Sequence, residues 1–165
     1  MATVIRGDDN FDTAYVKSVA VIADVKAQGV NGGSSAAGQW TTRNLNTEID
    51  DPEDIVSIAS NQFTLQAGTY LIEWACPVYD SGTHTTRLWN VTTGSLAATG
   101  QTVAASATYY GANNSLGAAI ETVTSATAFK IQHYSTATKS GSGFGIGAAS
   151  GNSVFTLVKI HKIGA

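Results

Sequence analysis

The chain has 165 residues, enough for one domain with a sizeable core, and its 13% charged residues and formal net charge of −3 leave no basic stripe of the kind a phosphate backbone requires. Nucleic acid is therefore excluded as an expected partner. No run approaches about 18 consecutive apolar residues, and the polar segment after Met1, with Arg6, Asp8 and Asp9, has the form of neither a membrane span nor a secretory signal, so the chain reads as soluble and unprocessed.

Residues 1–17 read as an N-terminal extension or arm and 18–165 as a single domain. Within the arm, Arg6-Gly7-Asp8 spells an integrin-binding tripeptide, a match short enough to arise by chance. From residue 18 onward, short apolar or alternating runs bounded by Gly, Asn, Asp and Ser recur, and no 3.6-residue period is sustained, which predicts strands throughout. Ten are expected: 18–26, 39–47, 55–60, 62–66, 69–79, 85–91, 96–107, 116–123, 128–135 and 153–163. In 128–135 the residues Phe129, Ile131 and His133 share one face while Lys130, Gln132 and Tyr134 share the other, the pattern of a strand with one wet side.

Three strands depart from that pattern. In 69–79 the apolar Tyr70, Ile72, Trp74 and Val78 oppose Leu71 and Ala75; in 153–163 Val154, Val158 and Ile160 oppose Phe155, Leu157 and Ile163; strand 18–26 behaves similarly. Both faces of these strands call for burial, so the three are expected to be neighbours. A sheet apolar on both sides of a sandwich needs a second cover, either another copy of the chain or one of its own loops.

Connection lengths alternate as well. The links near 92–95 and 124–127 are short, whereas 80–84, 108–115 and 136–152 are longer and rich in Tyr, Asn, Gly and Ser, and 29–38 and 44–54 belong with them if the first strand runs parallel to the third. One end of the domain is then tight and the other displays loops, the usual place for function. Tyr79, His84, Tyr109, Tyr110, Asn113 and Asn114, with the 139–150 stretch, are the candidate ligand-binding residues there. Tyrosine rings suit the apolar face of a sugar and amides its hydroxyls, although Tyr110 as a strand-end core residue is an equal reading.

No catalytic arrangement stands out, which points away from an enzyme. His84, His133 and His161 lie on separate strands without metal-site spacing, and the single Cys76, inside an apolar run, is expected to be a buried thiol. Asp50, Asp51, Glu53 and Asp54 form an acidic run able to offer oxygens to calcium, with a solvated turn as the plainer reading; no other cofactor is expected.

The phrase Phe63-Thr-Leu-Gln-Ala-Gly-Thr-Tyr70, followed by an apolar strand and a closing Asn152-Ser-Val-Phe-Thr-Leu-Val158, resembles the family that joins the globular head of the first complement component with tumour necrosis factor. The opening phrase Ile5-Arg-Gly-Asp-Asp-Asn-Phe-Asp-Thr13 is similar to segments of tailed-bacteriophage virion proteins. The first resemblance implies an all-β, ten-strand jelly-roll sandwich forming a homotrimer, with Tyr70, Ile72 and Trp74 inside and Leu71, Glu73, Phe155 and Leu157 near the threefold axis. Glu73 is unusual for such an axis, since three like charges need protonation or a partner. The second implies a virion protein made in the bacterial cytoplasm. As a tail-fibre tip it would be a receptor-binding head for a bacterial surface glycan or protein. The alternative is a capsid-decoration or head-fibre trimer, which a start at Met1 shortly before the domain favours slightly.

Overall fold

The computed structural model describes residues 18–107 and 110–164. The expected arm 1–17, with Arg6-Gly7-Asp8 and the Ile5 to Thr13 phrase, and Tyr109 lie outside the described residues.

Among the described residues the elements are β1 Ser18–Lys26, β2 Trp40–Thr42, β3 Thr47–Asp50, β4 Val56–Ala59, β5 Gln62–Leu65, β6 Gly68–Tyr79, β7 Thr83–Asn90, β8 Ser95–Thr99, β9 Val103–Ala104, β10 Ala112–Val123, β11 Thr127–Ser135 and β12 Ser153–Gly164. They form two antiparallel sheets, one of five strands in the order β10-β6-β12-β1-β3 and one of seven built on β4-β5-β11-β7-β8, with β2 beside β11 and β9 beside β7. The three strands with two apolar faces, β6, β12 and β1, are indeed adjacent in the middle of the five-stranded sheet. No described helix is long and apolar enough to cross a membrane.

Twelve strands stand where ten were expected, because one expected strand changes sheet partway and another is interrupted along the same neighbour, β7. In the expected 39–47 strand, β2 pairs with β11 of one sheet and β3 with β1 of the other, so residues 43–46 cross the sandwich and carry Arg43 into its interior. In the expected 96–107 strand, β8 ends where Gly100 donates its N–H to Thr86 O at 2.8 Å and Gln101 donates to Leu116 O at 2.7 Å, bridging the two sheets before β9 begins.

The core follows the alternation read from the sequence. Tyr70, Ile72 and Trp74 of β6 face inward and are almost completely buried, against Val158 and Ile160 of β12 and Phe63, Leu88, Phe129 and Ile131 of the other sheet. Phe63 and Phe129 stack with ring centres 5.7 Å apart. The Trp74 indole lies beneath β10 at Gly117, where a Cβ would collide with the ring, and its N–H donates to Thr86 Oγ1 at 2.7 Å.

Candidate functional site: the loop-rich end

Register places the connections. The end of β1 meets the start of β12 (Lys26 with Ser153), the end of β6 meets the start of β10 (Tyr79 with Ala112), and the start of β7 meets the end of β11 (His84 with Ser135). Links 27–39, 80–82, 105–111 and 136–152 therefore gather at one end, and 91–94 and 124–126 at the other. Two expectations are corrected here. The β6–β7 link is only 80–82, a tight turn made with positive φ at Asp80 and Gly82 and anchored by the buried Ser81. The acidic run lies at the short-turn end, because β3 runs antiparallel to β1 and Val56, just after the run, pairs with Leu65 beside Thr127.

The glycine-rich 136–152 segment is laced to 29–35. Gly29 donates to Ala148 O at 2.9 Å, Gly32 to Gly145 O at 3.0 Å and Phe144 to Gly33 O at 3.0 Å, while Tyr79 donates its N–H to Gly143 O at 3.0 Å. Gly145, at φ 124°, rests so close to the Phe155 ring that a Cβ would sit 2.6 Å from it. The surface this builds presents Tyr110, 83% exposed, with its ring 6.2 Å from that of Tyr79. Lys139 stands on the other partner of the pair: its Nζ is 5.1 Å from the Tyr79 ring centre and bridges to Asp80 Oδ2 at 3.1 Å. Asp80 in turn accepts from Gly111 N at 2.9 Å, which ties the Tyr110 loop to β6.

Beneath that surface runs a buried polar network. Asn113 Nδ2 donates to Ala104 O, which leaves Asn113 Oδ1 to accept from His84 Nε2. His84 Nδ1 must then accept, and its partner at 2.9 Å is His133 Nε2, so both imidazoles are neutral with assigned tautomers. Burial, with the Arg43 charge nearby, holds both histidines below their ordinary pKa, His133 down to about 2. His133 stacks on Phe144 at 5.4 Å and Arg43 covers Phe144 at 4.1 Å; the guanidinium donates to Thr156 Oγ1 at 3.0 Å and Pro77 O at 3.1 Å. Cys76, alongside, is a buried thiol pushed up to about 11 by desolvation, as its setting in the sequence led one to expect, and at that value it stays protonated.

The outward face of the five-stranded sheet continues from this end. Leu71, Glu73 and Ala75 of β6 align with Ile120, Ala118 and Leu116 of β10 and with His161, Lys159 and Leu157 of β12. Ile120 is 67% and Leu116 44% exposed. An open groove of about 390 Å³ between Tyr79, Ala112, Ile146, Val154 and Phe155 joins this face to the loops. Glu73 has a partner: His161 Nε2 lies 3.4 Å from its carboxylate, and Lys159 is its register neighbour.

No family model matches the chain, and no curated protein matches its sequence. Solved structures do. The globular domain of zebrafish complement 1qA superposes with a TM-score of 0.57 at 15% identity over 89% of this chain and 97% of that one. Murine APRIL at pH 5.0 gives 0.60 at 9% identity over 88% and 98%, and the Eiger tumour necrosis factor of S. frugiperda gives 0.54 at 9% over 88% and 91%. The fold is the jelly roll of these domains.

On this jelly roll the expected site residues separate. Tyr79 and Tyr110 come together at the surface. His84 and Asn113 also come together: His84 is buried with both ring nitrogens engaged, by Asn113 and His133, which corrects its placement in a displayed loop, while Asn113 on β10 is half-buried. Asn114 is exposed on β10 opposite Pro77, on the outward sheet face rather than in a loop. Leu71, Glu73 and Leu157 do share that outward face, whereas Phe155, 5% exposed, is covered by Gly145 of its own chain and is corrected to an internal residue. In the acidic run both Asp51 oxygens are occupied at 3.0 Å by the N–H groups of Ile55 and Val56, and no three His, Cys, Asp or Glu among the described residues are grouped to hold a metal ion. Arg43, Lys139 and Phe144 were not singled out from the sequence; Lys139 and Phe144 carried a signal only as members of the 139–150 stretch, and Arg43 carried none.

Proposed function

We propose that the chain is a non-catalytic, homotrimeric head on a tailed-bacteriophage virion that attaches to a bacterial surface glycan or protein through its loop-rich end. The observation that carries this reading is the division of the surface. The outward face of β10, β6 and β12 carries exposed apolar side chains, with Ile120 and Leu116 projecting from it around Glu73, Lys159 and His161, while the loop end presents Tyr110 and Lys139 over the buried Tyr79. An apolar sheet face of this extent is uncommon on a monomer, and further copies of the chain supply its cover. Glu73 beside His161 and Lys159 removes the like-charge objection to placing that face at an axis. Three copies of the loop end would then act together, which raises avidity without new contact chemistry. The virion setting rests on the Ile5 to Thr13 phrase.

Light scattering tests the assembly: three times the 17.0 kDa chain mass is expected, and Ile120→Glu is expected to reduce it. Incubation of labelled protein with host bacteria and, separately, with purified capsids tests the role. Attachment to cells supports the receptor-binding head; attachment to capsids alone favours the decoration trimer.

A further inference from the structure

The outward face of the seven-stranded sheet takes no part in the loop-end site, and its chemistry differs from every other surface described. None of the strands of this sheet contains an aspartate or glutamate. Their outward side chains nevertheless include two cations, Arg87 and Lys130, and among the described residues neither has a carboxylate within ion-pair distance. Aromatic rings surround the first of them. The guanidinium carbon of Arg87 lies 4.0 Å from the centre of the Trp40 ring and 4.3 Å from that of Trp89, and Trp40 meets Tyr134 with ring centres 5.6 Å apart. Two of the three tryptophans thus stand on the water side of a sheet, where Thr and Ser would suffice.

Arg87 is held in a defined orientation. Its Nε donates to Gln132 Oε1 at 2.9 Å and its plane is fixed by the two indoles. Its two terminal nitrogens donate to no described residue, and the side chain is half-buried rather than enclosed. A planar, pre-oriented guanidinium edge is the shape that receives a carboxylate through two parallel hydrogen bonds.

We infer that this face docks an acidic polysaccharide whose pyranose rings carry carboxylates. The rings lie on the aromatic platform of Trp40, Trp89 and Tyr134, their apolar faces against the aromatic planes, and the carboxylates meet Arg87 and Lys130. Charge complementarity selects the acidic sugar over a neutral one. A nucleic acid would require a longer track of cations than two. An acidic peptide added as a strand would require a free edge, but β11 and β7 are interior strands paired on both sides. The inference needs neither the trimer nor the loop-end site.

The test uses the full chain and a panel of galacturonan, alginate, hyaluronan and polysialic acid oligomers, with methyl-esterified galacturonan as the uncharged control and polyglutamate as the peptide control. Binding is read by calorimetry and by tryptophan emission. At least one acidic oligomer is expected to bind and shift the emission, with the esterified form about tenfold weaker or worse. Arg87→Lys and Lys130→Gln are each expected to weaken that binding while leaving the melting temperature near that of the parent; Tyr110→Ala, at the other site, is expected to leave it unchanged. Failure of the whole panel to bind overturns the inference, as does equal binding of polyglutamate, full binding by Arg87→Lys, or a loss confined to Tyr110→Ala. None of these outcomes bears on attachment through the loop end, which is measured on cells.

Discussion

Toward the short turns, the space between the sheets is filled by Phe63, Leu65, Ile72, Phe129 and Ile160; toward the loops, the same strands turn His84, Thr86, Ser115, His133 and Thr156 into it, and these are just as buried. The change occurs at one level in each strand. β11 runs Phe129, Ile131, His133 along its inner face, β7 runs Leu88, Thr86, His84, and β12 runs Ile160, Val158, Thr156. An apolar layer needs only volume and shape, whereas a polar layer must have each donor and acceptor met, so its residues fix particular partners. The difference teaches where each property of the domain resides: stability in the lower half, and the placement of the loops in the upper half, where Ser81 and Asp80 bond directly to loop backbone and Asn113 to the end of β9.

Phe129→Ala is the largest blow to this comparison. It removes a fully buried ring stacked on Phe63 and is expected to cost about 3–5 kcal/mol in urea unfolding, by the same amount at pH 7.5 and pH 5.0, because its stacking partner does not titrate. A loss under about 1 kcal/mol would mean the apolar half does not carry the stability assigned to it.

Acid distinguishes the halves. His133 and His84 have folded-state pKa values lowered by burial, so in mild acid the unfolded chain binds more protons than the folded one. Stability is therefore full above pH about 6.5, the ordinary histidine value, and falls as the pH drops below it toward the folded value. At pH 5.0 His133 alone accounts for about 2 kcal/mol, with a further loss from His84. Urea melts at pH 7.5 and 5.0 measure this, and His133→Gln is expected to shrink the difference. A parent protein as stable at pH 5.0 as at pH 7.5 would show that the network opens to water.

Much of this was legible in the residue pattern, and the misses share a cause. Period-two alternation gave the inner faces of β6 and β11, and of β12 from Val158 onward, whereas Val154, expected on that same face, is exposed beyond a register shift; the double apolarity of β1, β6 and β12 identified them as neighbours, since parity and burial are largely local properties. Which sheet a strand belongs to is not local. The crossing at 43–46 and the interruption at 100–102 are set by hydrogen bonds to β11, β1, β7 and β10, far away in sequence, so Arg43 gave no sign that it would enter the interior. His84 and Asn113 were assigned to a surface because they are polar and near loops; that they satisfy each other depends on β7 and β10 meeting across the sandwich. Phe155 was placed on the outer face by correct parity, but the loop that covers it comes from residues 143–146 and is held there by glycines whose close approach only the assembled fold displays.

The smallest expected effect on folding is the one that isolates the loop end. Tyr110 is 83% exposed, its backbone sits at φ 49°, and among the described residues its ring contact is a tilted approach to Tyr79 at 6.2 Å. Tyr110→Ala keeps a side chain with the same aversion to that backbone conformation, so strain does not change and the loss of stability is expected to stay within about 0.5 kcal/mol. Deleting part of the glycine-rich segment would be a poorer probe, because residues 143–146 cover Phe155 and support His133 through Phe144, and the deletion would unroof the polar half. With folding held constant, attachment of the labelled Tyr110→Ala protein to host cells reports on the surface alone. A loss of attachment at an unchanged melting temperature assigns the exposed ring to the receptor contact; undiminished attachment moves that contact away from the loop end and leaves the upper half with the single task of ordering its own loops.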